Sequence, residues 1–240
     1  MVLLPCCATG FKHDGELSGE FKDFYGTKTY FSGKPSDKIV LLLTDILGLE
    51  YKGSLLLADQ FAEEGFFVVV PDLFNNDPVA LNPPEGFSLL EDWFPQHTFE
   101  STIPFTKEIA QHIKDDFKPS FVGTVGYCYG GKLVGALGAT DLVNALAWAH
   151  PSFITVEDAK AIKHPLIIAA AETDNIYTPE LRANVEAALK ESGKTYYATL
   201  ASKTVHGFAC RGDPDDPPVK FAKEKAFADF TQWFKLHGGK

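Results

Sequence analysis

Arginine is almost missing from this chain. Of its 240 residues only Arg182 and Arg211 are arginines, so the basic total of Lys+Arg 22 is nearly all lysine, set against Asp+Glu 32 for a formal charge of −10. Phosphate and base-edge recognition leans on guanidinium forks, and an acidic surface repels a phosphate backbone, so nucleic acid is excluded as a partner. No apolar run reaches the roughly 18–20 residues of a membrane span. The opening Met1-Val2-Leu3-Leu4-Pro5-Cys6-Cys7 is too short for a signal peptide and lacks a basic leader, and Gly238-Gly239-Lys240 carries no retention, peroxisomal or prenylation signal. Four cysteines (Cys6, Cys7, Cys128, Cys210) do not make a disulfide framework. A reducing, cytoplasmic setting is expected. Spaced Cys pairs, His-x-x-x-His and Gly-x-Gly-x-x-Gly are absent as well, so neither a metal nor a nucleotide cofactor is expected.

What is present is ordinary globular composition, 45% apolar and 22% charged, at a length that suits one domain spanning 1–240. Short apolar runs alternate with helical patterns. Candidate strands are 39–44, 66–70, 121–127, 145–149, 166–171 and 195–200, several without the polar alternation of a half-exposed strand. Candidate helices cover 53–64, 98–117, 131–139, 179–192 and 219–236, with Thr178 and Pro179 as N-cap and first-turn residue. Repeated β-then-α order predicts an α/β fold with a mostly parallel central sheet and helices on both faces. The segment 21–31 reads as a hairpin at the sheet edge, and 75–96 as a long irregular excursion. Ligands of such sheets sit beyond the carboxyl ends of the strands.

There the sharpest motif is found, Gly126-Tyr127-Cys128-Tyr129-Gly130-Gly131, between the strand 121–125 and the helix 132–139. A nucleophile flanked by glycines at a tight strand-to-helix turn is presented on a strained backbone, and the helix N-terminus favours thiolate and oxyanion alike. The competing reading is a buried structural cysteine in a Gly-rich turn. A thiol needs a base. Of the histidines downstream, His164 stands at the wrong end of a strand and His237 in the tail, whereas His206 follows the last candidate strand. Asp174, three residues past 166–171, can orient an imidazole; Glu172 is the rival, and helix or turn capping the bland alternative.

These features resemble the dienelactone hydrolases (carboxymethylenebutenolidases), cysteine members of the α/β-hydrolase fold. The resemblance is carried by residues 126–131, by Asp174, by His206-Gly207-Phe208-Ala209, by Thr44-Asp45-Ile46-Leu47-Gly48 and by Val70-Pro71-Asp72-Leu73-Phe74, and the Cys6-Cys7…His13-Asp14-Gly15 start looks like the fungal branch. It implies a Cys128–His206–Asp174 triad, backbone N–H groups of Ile46 and Tyr129 as oxyanion hole, and Asp45 as a carboxylate bonded to the resting thiol. The family's two substrate-carboxylate arginines are poorly matched: Asn75-Asn76 follow Phe74, and only Arg211 answers loosely to the second. His150, in Ala149-His150-Pro151-Ser152, either lines the pocket or closes a strand, and Trp93 with Phe94 and Phe99 forms either an apolar lid or core.

The expected activity is hydrolysis of a small ester or lactone through a thioester. Rival readings keep the same pocket for an isomerase, lyase or acyl transferase of a secondary-metabolite pathway, or for a non-catalytic small-molecule binder. Monomer and homodimer are both compatible with the sequence.

Overall fold

The computed structural model describes residues 8–239, so Cys6, Cys7 and Lys240 lie outside the described residues. Eight strands form a single sheet: β1 (Glu20–Phe24), β2 (Thr27–Ser32), β3 (Lys38–Leu43), β4 (Phe67–Pro71), β5 (Phe121–Tyr127), β6 (Ala145–Ala149), β7 (Leu166–Thr173) and β8 (Tyr196–Val205). Their spatial order is β1-β2-β4-β3-β5-β6-β7-β8. β1 and β2 make the expected edge hairpin around Tyr25 and Gly26, whose positive φ angles of 54° and 77° match the twist of the flanking strands. β2 is also antiparallel to β4, and every pairing from β4 to β8 is parallel.

The apolar runs without alternation are explained by two-sided burial. On β3, Ile39, Leu41 and Leu43 face one core while Val40 and Leu42 face the other. The first core is covered by α2 (Phe99–Phe117), α3 (Tyr129–Gly138), α4 (Val156–Ala161) and α5 (Pro179–Glu191). The second is covered by α1 (Lys52–Glu63) and α7 (Pro217–His237). A sheet covered in this way gains roughly 25 cal/mol for each Å² of apolar surface withdrawn from water.

Three boundaries differ from the sequence expectation in ways that matter. The last two strands run further, to Thr173 and Val205, because an irregularity near Ala171 re-registers them so that Thr173 pairs with Val205. β8 is an edge strand, and its polar stretch Ser202-Lys203-Thr204 hides it from hydropathy. Helix α3 begins directly after Cys128. Short α4, opened by a Thr155/Asp158 capping box, and the one-turn α6 (Phe208–Arg211) complete the fold.

Candidate active site

The parallel register brings five strand ends to one edge of the sheet. Tyr127 pairs with Ala149, so Cys128 and His150 are the next residues of neighbouring strands; Thr173 pairs with Val205, so Asp174 and His206 are likewise adjacent. Asp45 leaves the end of β3, the neighbour of β5 on its other side. Residues scattered over 160 positions therefore meet for a reason of pairing alone.

The turn at Cys128 is built by close approach. A Cβ on Gly126 would strike the Gly130 carbonyl, and one on Gly130 would strike the Leu43 carbonyl at the end of β3. Glycine thus lets helix α3 start against the β3 turn. Cys128 itself takes φ 51° and ψ −109°, a conformation costly for any residue with a side chain. Tyr129 is the first helical residue, so its N–H has no acceptor within the helix. Ile46 lies in the abutting β3 turn, which is pinned by the Val79 N–H donating to the Ile46 carbonyl at 2.9 Å.

His206 donates from Nδ1 to Asp174 Oδ2 at 2.8 Å, and both side chains are 1% exposed. The other Asp174 oxygen accepts the N–H groups of Ile176 and Tyr177 at 2.8 and 2.9 Å. Burial alone would raise the Asp174 carboxyl, but His206 and these N–H groups bring it below the usual carboxylate value. For His206, burial works against the charged ring; the Cys128 thiolate and Asp174 more than reverse this and push its pKa up to about 10. The charged imidazolium form of His206 is thus favoured between Asp174 and Cys128. Glu172, the rival carboxylate, is exposed and accepts the Lys203 N–H instead.

One participant was not legible in sequence. Ser152 is fully buried, with Oγ 3.2 Å from Cys128 Sγ and 3.4 Å from His206 Nε2. Its N–H donates to the Cys128 carbonyl at 2.9 Å. The signal, a serine two residues beyond the His150 strand end, acquires meaning only once β6 is known to neighbour β5.

Below this group lies a second cluster. Asp45 Oδ2 accepts from Arg211 Nη1 at 2.6 Å and from the Cys210 thiol at 3.4 Å, while Oδ1 accepts the Leu47 N–H at 3.0 Å. The turn Gly207–Arg211, closed by the Arg211 N–H on the Gly207 carbonyl at 2.8 Å, swings both side chains under the sheet edge. Burial raises the Asp45 carboxyl above its usual value, against the pull of Arg211. Burial, then Asp45, pushes the Cys210 thiol well up, so it remains protonated. His150, with φ 36°, stands edge-on to His206 at 5.0 Å between ring centroids and 3.8 Å from the Cys210 sulfur. Desolvation holds it neutral. His164 bonds the Thr140 carbonyl, away from the site.

Trp93 is 4% exposed. It stacks on His97, meets Phe74 edge-on at 4.9 Å between centroids, and approaches Tyr129 at 6.0 Å. Together with Phe99, which stacks on Tyr129 at 4.6 Å, it forms an aromatic wall beside the Cys128 turn and packs with the core. A cavity of about 570 Å³ bounded by Phe74, Asn75, Asn76, Asp77, His97 and Thr102 lies behind this wall. Another of about 380 Å³, bounded in part by Leu47, Tyr51 and Val79, lies against the Ile46 turn. Cys128 lines neither and is 1% exposed. Asn75 and Asn76 both have positive φ, 52° and 61°, a backbone that asparagine tolerates better than arginine.

Among the described residues no helix is long and apolar enough to cross a membrane, and no group of three or more His, Cys, Asp or Glu is placed to hold a metal ion.

Known proteins resemble this chain over most of its length. The model of the dienelactone hydrolase family matches residues 27–238. Hydrolase tropI of Talaromyces stipitatus is 37% identical over 98% of this chain and 97% of its own. Hydrolase pyvD of Aspergillus violaceofuscus is 36% identical over 99% of both. Among solved structures, a putative dienelactone hydrolase from Klebsiella pneumoniae superposes with a TM-score of 0.71 at 14% identity, covering 87% of this chain and 92% of that one. At that identity the likeness speaks for the α/β-hydrolase fold.

Proposed function

From the premise that this chain belongs to the dienelactone hydrolase family and is a hydrolase of small esters or lactones, we propose that it works through Cys128 as nucleophile, His206 as base and acid, and Asp174 as the group that orients His206. The observation that carries this reading is the strained, glycine-flanked Cys128 beside a buried His206–Asp174 pair. The thiolate attacks the substrate carbonyl, and the N–H groups of Ile46 and Tyr129 hold the oxyanion. The tetrahedral intermediate collapses to a thioester as His206 Nε2–H protonates the departing oxygen. Neutral His206 then takes a proton from water, hydroxide oxygen adds to the thioester, and the acid leaves with the thiolate restored.

Substrate class follows from charge. The single arginine at the site is committed to Asp45 at 2.6 Å, the positions after Phe74 are Asn75 and Asn76, and the chain carries −10 overall. Neutral substrates with easily departing oxygen, enol esters and strained lactones, fit better than carboxylate-bearing ones. Since Cys128 is 1% exposed, side chains that cover it must shift to admit them.

The test is turnover of matched enol lactones and aryl esters, with and without a carboxylate, in ¹⁸O-water. Solvent oxygen in the acid, loss of turnover in Cys128→Ala and preference for the neutral members support the reading. Product without solvent oxygen would instead favour an isomerase or acyl transferase.

A further inference from the structure

The proposed mechanism accounts for His206 at the thiol and for Asp174 behind it, but not for Ser152. Ser152 Oγ stands 3.2 Å from Cys128 Sγ and 3.4 Å from His206 Nε2, at a site closed to solvent. A serine hydroxyl has one hydrogen and two lone pairs, so it can donate in one direction while accepting from the other. A thiolate only accepts and an imidazolium Nε2–H only donates, which fixes the hydroxyl's orientation once the ion pair exists.

We propose that Ser152 is a positioning residue for the nucleophile pair: its hydroxyl donates to the Cys128 thiolate and stands beside the His206 Nε2–H, which the sulfur also accepts, holding sulfur and ring in the geometry of attack. When the pair forms, the S–H bond breaks, the proton goes to His206 Nε2, and Ser152 keeps its own hydrogen. The backbone locks this placement, because the Ser152 N–H donates to the carbonyl of Cys128 itself, making hydroxyl and nucleophile move as one unit. Two neighbouring strand ends, at β5 and β6, thus supply the thiol and its hydrogen-bond donor.

The inference rests on Cys128 being the nucleophile, so its test is read on the sulfur rather than on turnover. Iodoacetamide modification of Cys128, mapped by mass spectrometry, is followed against pH in wild type and Ser152→Ala. The other ionisable groups facing the pair are Asp174, His150, Asp45, Cys210 and Arg211, and all remain in the variant. Losing a hydrogen bond to a charged sulfur should raise the midpoint of alkylation by about one to two pH units and lower kcat/KM roughly 10–100-fold at neutral pH. Ser152→Gly, which also lacks the hydroxyl, carries the same expectation should the alanine variant fail to fold. An unmoved midpoint in a folded variant overturns the proposal, and so does failure of both variants to fold, which would make Ser152 a folding determinant. If instead Cys128→Ala retained ester turnover, the functional reading would fail whatever the Ser152 comparison showed.

Discussion

Cys128 and Cys210 are both buried thiols near the same sheet edge, yet the polar groups around them differ in kind. Cys128 faces a histidine that can take its proton and a hydroxyl that can donate to the resulting charge. Cys210 faces the Asp45 carboxylate, a negative group that accepts its S–H and penalises its ionisation. Burial is common to both and so decides nothing. Under the proposed function, what would separate a reactive sulfur from an inert one is the sign and hydrogen-bonding sense of its nearest polar neighbour.

The harshest challenge to this contrast is deletion of each sulfur. Cys128→Ala should lower activated-ester turnover by at least ~10³-fold, since nucleophile and base act as a unit, whereas Cys210→Ala should stay within about tenfold of wild type. Comparable losses in the two variants would erase the distinction. Next in size, Asp174→Asn should cost about 10²–10⁴ in kcat with an unchanged fold, because the amide cannot stabilise the imidazolium. Initial-rate kinetics beside circular dichroism would separate that loss from misfolding.

At Cys210's end the effect should fall on stability. Asp45→Asn removes the carboxylate to which buried Arg211 donates at 2.6 Å and should cost about 3–5 kcal/mol in urea unfolding. A cost below ~1 kcal/mol would mean the pair is effectively solvated. The pH dependence is subtler. A histidine raised in the folded state contributes stability that is complete below its unfolded value near 6.5 and is lost as pH climbs through the folded value, here about 10. With the thiolate removed, His206 should release its proton well below pH 10. Wild type should therefore lose more stability than Cys128→Ala between about pH 8.5 and 10. Imidazole ¹⁵N shifts should report the same displacement directly.

Much of the architecture could be read from the chain because its signals are local. The β5 and β6 runs, 121–127 and 145–149, needed only continuous hydropathy, and the Gly-x-Cys-x-Gly turn only letters. The polar end of β8 was hidden because an edge strand need not be apolar on both faces. What could not be read depends on which strands are neighbours. Ser152 lies 24 residues from Cys128 in sequence and joins it only through the β5–β6 pairing. Arg211, expected either to support the site from behind or to meet substrate, donates to Asp45, a partner 166 positions away that no local rule could choose. Asp45 in turn holds Arg211, Cys210 and the Leu47 N–H, more partners than its expected role at the thiol implied.

The Arg211 turn is also stitched to the start of the described chain. The Phe11 N–H donates to the Arg211 carbonyl at 3.1 Å, a Cβ on Gly10 would lie 2.6 Å from the Arg211 Cβ, and His13 Nε2 contacts the Gly212 carbonyl at 3.0 Å. Asn82 N–H, from the irregular excursion, reaches the Ala8 carbonyl at 2.9 Å. For anyone engineering this enzyme, residues 8–13 are therefore part of the support behind the Asp45–Arg211 pair and no neutral handle. A truncation through them should be read first as a change in the backing of the Arg211 turn, and only then as a change in kinetics.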